Sequence, residues 1–179
     1  MLNRSLLLDG VSEIFIVTAR ITLVTFLISL YCFKEFFSEL NLSFFFKGCL
    51  TGFLAIFIPG WTFIYALKNI SSGLQSIFIS TIPLFTVFWV LLFFKEEKIT
   101  RIKLISVLIG LIGLVILFFS GETGLSKEGD LITGGLLALV GVQGLALSNI
   151  TNKKHLKYIP GKTYLLTQWL FGAGLSIIL

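Results

Sequence analysis

Charge is scarce in this chain, and the scarcity excludes more than any residue present. Asp, Glu, Lys and Arg make up 13% of the 179 residues, against 56% apolar. A soluble domain carries about 25%, so an ordinary water-facing surface is ruled out. Histidine is limited to His155, and cysteine to Cys32 and Cys49. They form no cluster at metal-ligand spacing, and the sequence has neither a phosphate-cradling glycine loop nor a nucleophile elbow. The expectation is no catalytic residue, no metal and no cofactor, hence not an enzyme. His155 stands in a lysine-rich connection, where a solvated surface role is the plain reading. Both cysteines fall at ends assigned below to the reducing cytoplasm, and read as apolar filler rather than a disulfide. The formal charge of +5 comes without a basic face interleaved with aromatics. That excludes nucleic acid as a partner and points to anionic lipid. Residues 1–13 also lack the charged, apolar, small-residue order of a signal peptide.

What fills the chain instead is apolar sequence, in six runs at residues 14–33, 48–67, 70–94, 102–119, 131–150 and 159–179. About 20 apolar residues in a helix cross a ~30 Å hydrocarbon core. Runs this continuous favour helices over barrel strands. The predicted fold class is therefore all-α, a polytopic membrane helical bundle. Basic residues fall in alternate connections. Arg4, Lys68 and Lys127 lie on one side; Lys34, Lys47, Lys95, Lys98, Arg101, Lys103, Lys153, Lys154, Lys157 and Lys162 lie on the other, ten against three. Lysine and arginine are retained in the cytoplasm, which puts residues 34–47, 95–103 and 151–162 inside and the N-terminus outside. An external start without a signal peptide, and a stop at Leu179 within an apolar run, lead to the expectation of a piece of a longer protein.

Connections are short. Ser71 or Ser72, Thr100 and Asp130 are expected to cap the helices that follow them. Residues 120–130 are the most polar and glycine-rich stretch and the expected boundary between halves. Small residues recur at helical spacing: Gly48, Gly52 and Gly60; Ser106, Gly110 and Gly113; Gly134, Gly135, Gly141 and Gly144; Gly172 and Gly174. Close helix packing is the first explanation; sliding faces during alternating access is the second.

The central segment reads Ala66-Leu67-Lys68-Asn69-Ile70-Ser71-Ser72-Gly73, then Ile82-Pro83-Leu84-Phe85-Thr86, then Phe93-Phe94-Lys95-Glu96-Glu97-Lys98-Ile99-Thr100, then Gly113-Leu114-Val115. This resembles the third-to-fifth helix region of EamA-type proteins of the drug/metabolite transporter superfamily. The likeness is fullest over residues 48–121. It extends more weakly to 11–33, where Ala19-Arg20 is similar to the second helix of the pattern, and to 129–154, similar to the start of a second repeat. Glu96 departs from the pattern's glycine, and Ser106 stands where glycine is common. The resemblance implies ten helices in two inverted five-helix repeats. Residues 1–121 would be a first repeat lacking its first helix, and 122–179 the first two helices of a second. It implies export of an amino acid or related metabolite across a bacterial plasma membrane by alternating access, driven by an ion gradient. The alternative is a non-transporting helical fragment or module that needs a partner chain. Expected partners are a small-molecule substrate and the bilayer, with a homo-oligomer left open.

An inverted-repeat carrier binds its solute near the midplane. Arg20 is the costliest group, six residues past Ile14 and so about 9 Å into the membrane. It either faces a cavity, where it would hold a carboxylate, or snorkels to the interface. Gln75, Ile79, Pro83 and Thr86 follow one helical face, and Pro83 frees a mid-span carbonyl. Trp61 and Tyr65 fit an interfacial belt as well as a cavity, as does Asn149 a helix end. Gln143, Gln168 and Trp169 sit deep, lining a cavity or bonding between helices. The candidate substrate-binding set is thus Arg20, Trp61, Tyr65, Gln75, Pro83, Gln143, Gln168 and Trp169. Glu96 and Glu97 alternate with lysines and read as interface anchors.

Overall fold

The computed structural model describes residues 7, 9–39, 42–93, 101–121, 123–125, 129–155 and 161–178. All regular structure among them is helical: α1 (Glu13–Glu39), α2 (Leu42–Gly52), a π-helical segment (Phe53–Phe57), α3 (Ile58–Asn69), α4 (Ser72–Ser80), α5 (Ile82–Phe93), α6 (Arg101–Ser120), α7 (Leu131–His155) and α8 (Gly161–Ile178). Four stretches are long and apolar enough to cross a membrane: Glu13–Cys32, Phe44–Asn69, Ser72–Phe93 and Leu131–His155. Ile105–Ser120 is apolar but shorter over the described residues.

Two expected spans differ from their sequence reading. The run at 70–94 is two helices, because the Pro83 ring cannot accept the carbonyl four residues earlier. Helix α4 closes with a tightened turn, Thr81 N–H donating to the Phe78 carbonyl at 3.0 Å. The run at 159–179 forms α8, but α8 is not among the four spanning stretches. Its apolarity is diluted by exposed Lys162 in its first turn and by Thr163, Thr167 and Gln168, which are buried in the bundle rather than turned outward. A helix enclosed by protein need not be as apolar as one in lipid.

Chain order does not set neighbours. Helix α8 packs on α1, α2 and the π segment, while α7 packs on α3, α4 and α5. Helix α3 is shared between two cores. Ala66 and Ile70 join Leu74, Phe78, Leu114, Ala138 and Val142; Ile64 and Leu67 join Ile16, Val17, Ile21, Ile56 and Ala173.

Glycine permits the tightest approaches. A Cβ on Gly52 would lie 2.4 Å from the Gln168 carbonyl oxygen, and one on Gly144 2.6 Å from that of Leu54. Gly48 faces Thr167, Gly134 faces Ile70, Gly141 faces Phe63 and Gly172 faces Ile56. The packing explanation therefore accounts for these positions. Gly113 and Gly174 meet nothing within 4 Å, and Gly60 meets Ile21 of α1 rather than the α8 surface that receives Gly52.

The connections gather into two ends, as helices that cross in turn require. At one, Glu13 pairs with Lys68, and Ser71 N–H donates to the Thr123 carbonyl at 2.9 Å. At the other, His155 meets Tyr164. Ser71 caps α4 by accepting from Leu74 N–H at 3.1 Å; Thr100 lies outside the described residues. Asp130 caps α7, accepting from Ile132 N–H at 2.9 Å and from the Thr133 hydroxyl. The Thr133 hydroxyl, followed by backbone donors, holds the Asp130 carboxyl below the usual carboxylate range. A lowered pKa stabilises the fold above the ordinary carboxylate range, and that contribution is lost as pH falls through the lowered value. Asp130→Ala is expected to speed amide exchange at Ile132 and Thr133 while leaving α3 unchanged, and acidification of the unsubstituted protein should give the same local pattern.

Candidate functional site

The site begins with a proline in the middle of the second apolar run. Pro59 has no N–H, and its ring would collide with the carbonyl four residues back in an α-helix. The backbone before it widens instead. Phe53–Phe57 is π-helical, and Ile58 N–H donates five residues back, to Phe53. Such single-turn π segments recur at functional sites.

Beside this widened turn lies a pocket of about 200 Å³. Ile16, Val17, Arg20 and Ile21 come from α1, Ala55 and Ile56 from the π segment, and Pro59, Gly60, Phe63 and Ile64 from α3; Leu145 of α7 and Trp169 of α8 complete it. Arg20 is the one charged residue of the lining. It stands seven residues into α1, about 10 Å from that helix end at 1.5 Å per residue. Its side chain is exposed. The single ion pair among the described residues is Glu13–Lys68, so no carboxylate there neutralises Arg20.

Next to the pocket, where Gln168 precedes Trp169 on α8, is a polar cluster with Thr51 of α2 and Asn152 of α7. Gln168 Nε2 donates to Thr51 Oγ1 at 3.0 Å and to Asn152 Oδ1 at 2.8 Å. His155 Nδ1 lies 3.2 Å from the Tyr164 hydroxyl. This ties the ends of α2, α7 and α8 together beneath the pocket. His155 is thus the last residue of α7, held against Tyr164, and not in a solvated loop. An interhelical contact is available to it because α7 continues past the apolar run that ends at 150.

Of the residues singled out from sequence, the structure brings Arg20 and Trp169 to the pocket. The others lie elsewhere. Gln168 belongs to the polar cluster. Gln143 Oε1 accepts from Trp89 Nε1 at 2.6 Å, joining α7 to α5. Trp61 and Tyr65 stack with centroids 6.1 Å apart; the indole N–H of Trp61 is buried without a partner, and Lys68 sits 5.5 Å over the Tyr65 ring. Gln75 is buried with its Oε1 unpartnered. Pro83 and Ile79 are exposed, so the single face drawn through Gln75, Ile79, Pro83 and Thr86 is broken at Thr81, where the helix axis is interrupted. Asn149 is exposed. Glu96 and Glu97 lie outside the described residues. Thr51, Asn152, Tyr164 and Trp89 had not been singled out. No local pattern marks them, since each acquires its partner from a distant helix. No group of three His, Cys, Asp or Glu residues able to hold a metal occurs among the described residues.

A comparison with protein families matches residues 3–119 of the 179 to the EamA-like transporter family. The matched segment takes in α1 to α5 and nearly all of α6. Comparison with curated proteins and with solved structures finds no match.

Proposed function

This chain belongs to the EamA-like transporter family, and from that premise we propose that it is a secondary transporter of small organic metabolites working by alternating access. The observation that carries the reading is the pocket itself. The helical bundle holds a pocket of about 200 Å³ lined by residues of α1, the π segment, α3, α7 and α8, with one guanidinium on its wall. Intramembrane charge is costly, and is kept where it faces a cavity or a pathway. The basic ends of the bundle are proposed to be cytoplasmic, from the lysine and arginine count.

The test is flux. Proteoliposomes holding the purified chain and loaded with labelled amino acids and organic acids should release label faster than protein-free vesicles under a proton or sodium gradient. Release equal to that of protein-free vesicles would favour the alternative of a helical module needing a partner chain. Arg20→Ala is expected to abolish the flux while the protein still inserts and elutes as a single species. Unchanged flux would remove Arg20 from the solute path.

A further inference from the structure

Among described residues, Arg20 is a cation without an anion. The lining of its pocket is otherwise Ile, Val, Ala, Pro, Gly, Phe, Leu and Trp. Its nearest acidic neighbour on α1, Glu13, is engaged by Lys68. The next along that helix, Glu35, is fifteen residues on, about 22 Å away. Asp130 is spent on its own helix cap. The Arg20 side chain is exposed on the bundle, so insertion into a bilayer removes it from water, which is costly unless a counter-charge and hydrogen bonds replace the solvent. A guanidinium offers a planar fork that a carboxylate meets with two parallel bonds.

We propose that this pocket binds a small organic monocarboxylate, its carboxylate held by Arg20 and its compact apolar body lying against Ile21, Ile56, Phe63 and Trp169. A second carboxylate would be desolvated among apolar side chains with nothing to meet it. An organic cation would face Arg20 with the wrong sign. Size sets the other limit. The pocket's 200 Å³ falls below the range of about 300–1,000 Å³ that takes drug-sized ligands. The proposal rests on the carrier reading for what the site is for, but binding can be measured without flux.

The purified full chain in detergent is titrated with three probes of similar size: 4-methylpentanoate, 3-methylbutan-1-amine, which has the same carbon body, and the dicarboxylate hexanedioate. Trp169 lies in the pocket, so tryptophan fluorescence reports occupancy. The monocarboxylate should give a saturable change that Trp169→Phe removes, and the amine and the dicarboxylate should bind at least tenfold more weakly. Arg20→Gln should weaken the monocarboxylate at least tenfold, with Arg20→Lys between the two. Equal binding of the amine, or an affinity unchanged by Arg20→Gln, overturns the proposal; the latter is the result expected if Arg20 reaches instead for the lipid headgroups. Should Arg20→Gln fail to fold, the ranking of the three probes on the unsubstituted protein decides. Arg20-dependent carboxylate binding without flux would overturn the carrier reading and leave the site. Flux of the amine without carboxylate binding would do the reverse.

Discussion

Gly52→Leu is expected to separate α2 from α8 and leave little correctly folded protein. Any Cβ at this position would lie 2.4 Å from the Gln168 carbonyl oxygen and 3.0 Å from its Cα. A clash with a side-chain tip can be relieved by rotation. Here the obstacle is backbone, so one helix must move as a whole. Overpacking a tight core typically costs about 1–3 kcal/mol, and a leucine against backbone belongs at or above the top of that range. In lipid no hydrophobic force draws helices together, so packing and interhelical hydrogen bonds are what is lost. Gly144→Leu should act alike against the Leu54 carbonyl at 2.6 Å. Gly113→Leu and Gly174→Leu are the controls, because nothing lies within 4 Å of either Cβ. Size-exclusion profiles and thermal midpoints in detergent should separate the pairs, with aggregation or a much lower midpoint for the first two only. Similar midpoints for all four would mean that the helices do not approach as described.

Gln168→Leu is expected to have the next largest effect. The change nearly conserves volume but removes both donations, to Thr51 Oγ1 and Asn152 Oδ1. Thr51 is fully buried, though its hydroxyl still donates to the Lys47 and Gly48 carbonyls. Asn152 is left worse off, with its amide oxygen facing an apolar side chain. Interhelical bonds in membranes are worth about 0.6–2 kcal/mol, and because Asn152 is only half-buried its lost partner adds less than the about 1–3 kcal/mol of a fully buried acceptor. A clear fall in thermal midpoint should follow. Asn152→Leu in the same chain should recover part of it, since apolar replacement of both partners removes the orphan. Strictly additive losses would show that the two side chains act independently.

Both predictions concern contacts that no stretch of sequence displays. Helix α8 carries Thr163, Thr167, Gln168 and Trp169; the sequence placed Gln168 and Trp169 deep but did not name the helices they meet. Their polarity is tolerated because α1 and α2 enclose them. The glycine spacing of the second run pointed to close packing, but not to Gln168 as the group packed against. Trp169 and Arg20 are 149 positions apart in the chain, and only the meeting of α1 with α8 puts them on one pocket. Gln143 and Gln168, alike in type and depth, have separate fates: one bridges to Trp89, the other to Thr51 and Asn152.

The sequence by itself determined the environment, the helical class, the alternation of ends and the cap at Asp130, and it narrowed the cap of α4 to Ser71 or Ser72. These are local matters. A bilayer obliges each span to satisfy its own backbone and to be apolar over its own length, and a cap reaches three residues at most. It also marked the interruption at Pro83, because a missing N–H is a property of one residue. Only the tertiary structure decided what that interruption became, a break between α4 and α5, and showed the widened turn beside a pocket before Pro59. It alone decided which helices are neighbours. In lipid the apolar faces are nearly interchangeable, so the choice of partner falls to shape and to a few buried polar groups, and these act between residues far apart in the chain.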